Sequence, residues 1–168
     1  LCNALGMDTI EAGVAIATAM ELFERGHLPE KDIGRPLRFG DADALVEMTG
    51  KMGRGEGFGA VLALGGYRVA ERYGHPELFM GVKKQAFPAY DSRGAQGMAV
   101  GYATSNRGAC HLAGFTHGFE RILSLPEIGV EKPLPRLEVK GKGELAANTQ
   151  NVMGLYDALK VCKFTMFG

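Results

Sequence analysis

Three short stretches of this 168-residue chain carry side chains suited to chemistry. Asn3-Ala-Leu-Gly6-Met7-Asp8 opens it, Arg93 to His111 lies past the middle, and Asp157-Ala-Leu-Lys160-Val161-Cys162 comes near the end. The first and third share one form: an Asx residue, two spacers, Gly or Lys, an apolar residue, then Asp or Cys. A short amide or carboxylate on a loop accepts hydrogen bonds from a ligand's N–H groups, and a small residue lets the backbone come close. In the middle stretch Arg107, Gly108, Cys110 and His111 directly follow a small-residue apolar run. Its glycines Gly94, Gly97 and Gly101 lie near helical spacing, so another backbone or a flat ligand is expected against that face. An imidazole titrates near neutrality and suits proton handling; His111 and the nearby His117 are both open to that reading, the alternative being a structural histidine bonded to a backbone carbonyl. A Cys110–His111 thiol dyad is disfavoured, because sequence neighbours seldom pair this way and no third orienting group is evident.

Cys2, Cys110 and Cys162 are odd in number and widely spaced, with no Cys-x-x-Cys, which makes a poor disulfide framework. Alone they cannot build a four-thiolate metal site. By pattern, Cys162 is open to two readings, a buried small hydrophobe near a helix end or a ligand. Gly53-Arg-Gly-Glu-Gly57 has no Lys-Ser/Thr after it and no strand before it, so it reads as a helix–helix turn rather than a phosphate loop.

These stretches need elements to hold them, and the periodicity predicts a mainly α, multi-helical fold. Asp8 is placed to cap a helix from Thr9 to Arg25, with Glu11 completing a capping box and Gly26 ending it. Its inner face is read as Ile10, Val14, Ala17, Met20 and Phe23. A second helix is expected from Ala42 to Met52, capped by Asp41, with Ala44, Leu45, Met48 and Met52 inward. A third runs from Phe58 to Tyr73, ended by Gly74 and Pro76. Val82 to Gln85 reads as extended. A short helix is expected within Phe115 to Leu125. Pro126 to Lys142 is a connector with one strand at Leu137 to Lys140, and the expected domain boundary. The last helix spans Glu144 to Lys160, with Leu145, Val152, Leu155, Tyr156 and Leu159 inward.

Composition narrows the partners. Lys+Arg and Asp+Glu are both 19, so no charge excess points to nucleic acid or an anionic membrane surface. Hydrophobic residues make up 46%, enough for a core, yet no run approaches the ~20 residues of a membrane span. Glycine, at 25 residues, is about twice its usual share without periodicity, which fits tight turns and close packing. Opening at Leu1-Cys2-Asn3, the chain reads as a piece of a longer protein, and a reducing cytoplasm is the default location.

Taken together, Asp91-Ser-Arg-Gly94 and Ala103-Thr-Ser-Asn-Arg-Gly-Ala-Cys-His111 resemble the Asp-Pro-Arg-Gly…Ala-Thr-Ser-Asn-Arg-Gly-(Ala/Gly)-Cys-His segment of the tungsten-containing aldehyde ferredoxin oxidoreductases. Gly6-Met-Asp-Thr-Ile10 and Val161-Cys-Lys-Phe164 stand in that family's order, so the resemblance spans nearly the whole chain. It implies the C-terminal helical domains of such an enzyme: 1–125 as the middle domain, and 126–168 as a connector with the start of the last domain. The two Asx motifs would be pterin-binding, with Asn3, Gly6, Met7, Asp8, Asp157, Lys160, Val161 and Cys162 as cofactor contacts. Cys162 would also be the fourth thiolate of a four-iron four-sulfur cluster, and His111 the proton-handling group. The parent would oxidise an aldehyde to a carboxylic acid at a tungsten (or molybdenum) bis-pterin centre and pass electrons to ferredoxin. Its other partners would be its own β-rich N-terminal domain, which brings the other three cysteines, and a further copy in a homo-oligomer. Three departures stand out: Asn3 for aspartate, Ser92 for proline and Lys160 for glycine. The competing reading is a non-catalytic helical interaction or regulatory module.

Overall fold

The computed structural model describes residues 1–167, and the fold begins where a cap was expected. The Asp8 carboxylate accepts from the Glu11 N–H at 2.7 Å, and α1 runs Thr9–Glu24. The return arm of the capping box is not made. Glu11 Oε1 instead accepts from the Gly66 N–H at 2.6 Å, 55 residues along the chain. The buried stripe of α1 is Ala12, Ala15, Ile16, Ala19, Met20 and Leu22, while Ile10 is exposed and Val14, Ala17 and Phe23 are half-buried. The expected face was therefore turned toward the large residues. Alanines line the true one, because packed helices approach closely there and small side chains fill the space.

The helices that follow are α2 (Glu30–Ile33), α3 (Ala42–Arg54), α4 (Phe58–Leu62) and α5 (Gly66–Arg72). Asp41 caps α3 through the Ala44 N–H at 2.8 Å. Ala44, Met48 and Met52 are buried as expected, but Leu45 is exposed. The predicted single helix from Phe58 to Tyr73 breaks in two. Gly65 adopts φ +92, which no helix continues through, and Glu11 supplies the cap that starts α5 afresh. α4 lies against α3 at Gly59, where a Cβ would fall 2.2 Å from the Lys51 carbonyl carbon. Val82 and Gln85 do pair, in a minimal antiparallel hairpin of β1 (Gly81–Val82) and β2 (Gln85–Ala86), with Lys83 and Lys84 as its turn. These elements surround one core that includes Ile16, Leu22, Leu37, Met48, Leu62 and Val69. Each such buried aliphatic side chain contributes about 1.5–3 kcal/mol.

The chain divides into two compact units, Leu1–Ala86 and Phe87–Gly168. In the second, α6 (Gln96–Thr104) and α7 (Thr116–Phe119) pack with α8 (Lys142–Leu159). Phe115, Phe119, Leu123, Val130, Leu145 and Met153 form its core. On α6, a Cβ at Gly97 would stand 2.8 Å from the Glu120 carboxyl carbon, so that side chain fills the space beside this glycine. Glu120 also accepts from the Gly97 N–H at 2.8 Å and from Lys142 Nζ at 2.5 Å, both side chains being almost fully buried. Leu137 and Val139 are exposed and join no strand among the described residues, since their alternation finds no neighbour to pair with. On α8, Leu145, Ala146, Thr149 and Met153 are buried. Leu155 and Leu159, expected inward, are 57% and 63% exposed, because the last two turns run past the core. Among the described residues no helix is long and apolar enough to cross a membrane.

Candidate functional site

The two Asx motifs end in the same backbone corner. Gly6 has φ 69 and ψ 26, and Lys160 has φ 59 and ψ 30. Each closes a helical turn with two matching bonds. Gly6 N–H donates to the Asn3 carbonyl and Met7 N–H to Cys2; Lys160 N–H donates to Asp157 and Val161 N–H to Tyr156. The distances agree, at 3.3 and 3.0 Å in both. This Schellman pattern also ends α1, α3 and α5 at Gly26, Gly55 and Gly74, so the corner itself is a general helix stop. At Lys160, however, a residue with a Cβ occupies the left-handed region, where glycine is favoured. Lysine in place of glycine thus keeps the backbone course of the motif.

Around these corners the side chains are open to ligands. Asn3, Gly6 and Asp8 are exposed, Met7 is half-buried, and a Cβ on Gly6 would meet nothing within 4 Å. Beside Met7 and Asp8 lies a cleft of about 250 Å³ with Glu11, Ala12, Met52, Gly53 and Leu62 in its wall. Acceptor oxygens over an apolar wall suit the edge and face of a flat, N–H-bearing ring such as a pterin. In the second unit the Asp157 carboxylate is held by Lys163 Nζ at 2.6 Å. Lys160, Val161 and Cys162 are exposed. The Cys162 thiol is exposed, Cys110 is buried and Cys2 partly so. Among the described residues no group of three or more His, Cys, Asp or Glu converges to hold a metal.

The loop after α6 brings His111 to the same segment. Its imidazole is pushed down, first by burial and then by the Lys163 ammonium, which also pairs with Asp157. His117 is buried and pushed down to about 4 by burial, reinforced by His111 and Arg121. Its Nδ1 is buried without a hydrogen-bond partner. Tyr90 stacks on His111 at 5.1 Å and 23°, and lies 4.3 Å from His117 at 35°. Phe115 flanks His117 at 4.6 Å. A half-buried and a buried imidazole, both pushed down and sharing an aromatic neighbour, can each accept a proton at a fixed place.

Sequence reasoning singled out both Asx motifs and both histidines as candidates. It missed Tyr90 as their common neighbour, and Tyr102, whose buried hydroxyl donates to the Tyr90 carbonyl at 2.9 Å. It missed Glu120 and Lys142 altogether, since neither sits in a recognisable pattern. The early Tyr-Asp of Tyr90-Asp91 was the one available signal. There, Asp91 accepts from both the N–H and the guanidinium of Arg93, which hold its carboxyl down at about 2.

Compared with known proteins, residues 1–167 match the family described as aldehyde ferredoxin oxidoreductase, domains 2 and 3. The chain is 44% identical over 170 residues to the tungsten-containing aldehyde ferredoxin oxidoreductase of Pyrococcus furiosus, covering 100% of this chain and 27% of that protein. The protein of the same name from Pyrococcus abyssi is 47% identical over 167 residues, covering 97% and 27%. The one from Thermococcus kodakarensis is 41% identical over 169 residues, covering 99% and 27%. The chain thus spans 27% of the length of these relatives.

Proposed function

The chain belongs to the aldehyde ferredoxin oxidoreductase family, and on that premise we propose that it forms a helical part of an enzyme that oxidises an aldehyde to a carboxylic acid. When bound, a tungsten (or molybdenum) bis-pterin centre and a four-iron four-sulfur cluster supply the two-electron chemistry and the exit toward ferredoxin. The chain's own residues bind and orient. Asn3 and Asp8 offer acceptors to one pterin edge, with Gly6 and Met7 as backbone and wall. Asp157, Lys160 and Val161 do the same for the second, and Cys162 gives one thiolate to the cluster. His111 handles the proton. In the family's terms 1–125 is the middle domain and 126–168 the start of the last. The other cluster thiolates and the cover of the site come from the remainder of the parent protein.

The observation that carries this reading is the match of residues 1–167 to the family, with both Asx motifs lying inside the matched span. The test is Cys162→Ser in the full-length parent. Iron content and cluster absorbance are expected to fall, and an unchanged four-iron signal ends the ligand assignment. His111→Asn is expected to keep metal and pterin while lowering turnover about 10²–10⁴-fold. Wild-type turnover with an unchanged pH profile would leave His111 structural and make His117 the residue to test.

A further inference from the structure

We propose that Tyr90 is a positioning residue that fixes the orientation of both imidazoles; this rests on the reading that a histidine of this pair handles the proton. A histidine at work is usually oriented by a hydrogen bond at its second ring nitrogen. His117 lacks one, because its buried Nδ1 has no partner. Ring packing must then hold it, and the packing comes from Tyr90 on one side, at 4.3 Å, and Phe115 on another, at 4.6 Å. Tyr90 also stacks on His111, with planes within 23°. One ring therefore sets the pose of two imidazoles whose centroids are 6.1 Å apart.

Tyr90 is itself anchored. The Tyr102 hydroxyl donates to its carbonyl at 2.9 Å, and its N–H donates to the Pro88 carbonyl at 2.7 Å. Tyr102 is 1% exposed on α6, so the anchor belongs to the core of the second unit. The ring face is what matters, and aromatic stacking is preserved when the hydroxyl is removed.

Three variants of the full-length holoenzyme test this: Tyr90→Phe, Tyr90→Leu and, if Leu fails to fold or to load tungsten, Tyr90→Met. Phe is expected to keep wild-type kcat and pH profile. Leu or Met is expected to keep tungsten content and KM but lower kcat about 10–100-fold, the effect of a catalytic group misplaced by about 1 Å, with a shifted acid limb. A second readout is independent of turnover. Carbethoxylation of His117, followed by peptide mass spectrometry across pH, should speed up at least ~10-fold in Leu and stay as in wild type in Phe. Equal behaviour of Phe and Leu, in either direction, overturns the positioning role. His111→Asn and His117→Asn run alongside. If both keep full turnover, the proton-handling reading fails. If one loses turnover while Tyr90→Leu does not, the positioning inference alone fails.

Discussion

Replacing Lys142 by Met should unfold the second unit under conditions in which the wild type is stable. Lys142 Nζ meets Glu120 Oε1 and the Pro135 carbonyl, and the two charged side chains are 1% and 0% exposed. Removing the ammonium leaves a buried carboxylate with one donor, the Gly97 N–H, and an Oε2 that already has no partner. Breaking a buried pair from one side costs about 3–5 kcal/mol. In a domain of this size each kcal/mol lowers Tm by about 4–8 °C, so a fall of at least ~12 °C is expected. The double variant Glu120→Gln/Lys142→Met keeps an acceptor for Gly97 and removes both charges. It should recover most of the loss, because a buried pair stabilises little over a neutral replacement. Guanidinium unfolding followed by circular dichroism gives the free energies. Hydrogen exchange on the peptide covering Gln96–Thr104 reports the Gly97 amide directly. A loss below about 1 kcal/mol in the single variant, or a double variant as unstable as the single, would refute the account of this pair.

Three further outcomes are expected. His117 is held near 4, below its ordinary 6.5, so the unfolded chain binds a proton first; stability is complete above about 6.5 and falls as pH drops toward 4, by roughly 3 kcal/mol, and His117→Gln should flatten that part of a stability–pH curve. Gly59→Ala should destabilise the first unit by several kcal/mol in a denaturant titration, since its Cβ would lie 2.2 Å from backbone of α3. Lys160→Gly should stabilise by about 0.5–1 kcal/mol in the same assay by relieving a left-handed lysine, and a loss would argue against strain there.

Helix starts were legible because Asp8 and Asp41 act through their own first turns, a local interaction that three or four residues encode. Helix stops at Gly26 and Gly74 were legible for the same reason. The break at Gly65 was not, because its cap is Glu11, far away in sequence. The face of α1 was misjudged because alanine carries little hydropathy signal yet marks where helices touch. Leu155 and Leu159 were misjudged because hydropathy reports a wish to be covered, not the presence of a cover. At the candidate site, the two motifs and the histidines were singled out by residue type together with the family resemblance. Tyr90 could not be assigned, since its role exists only once a loop folds back on the ring.

The contact between Gly97 and Glu120 has a bearing on how this chain can vary. The carboxylate occupies the volume in which any side chain at 97 would begin. A methyl group at 97 requires position 120 to retreat, and a retreating position 120 strands Lys142. The three positions are therefore expected to change together or not at all. A relative with alanine at 97 should carry a shorter or uncharged residue at 120 and no lysine at 142. One such sequence with Glu120 and Lys142 both intact would show that the helices can part at that point.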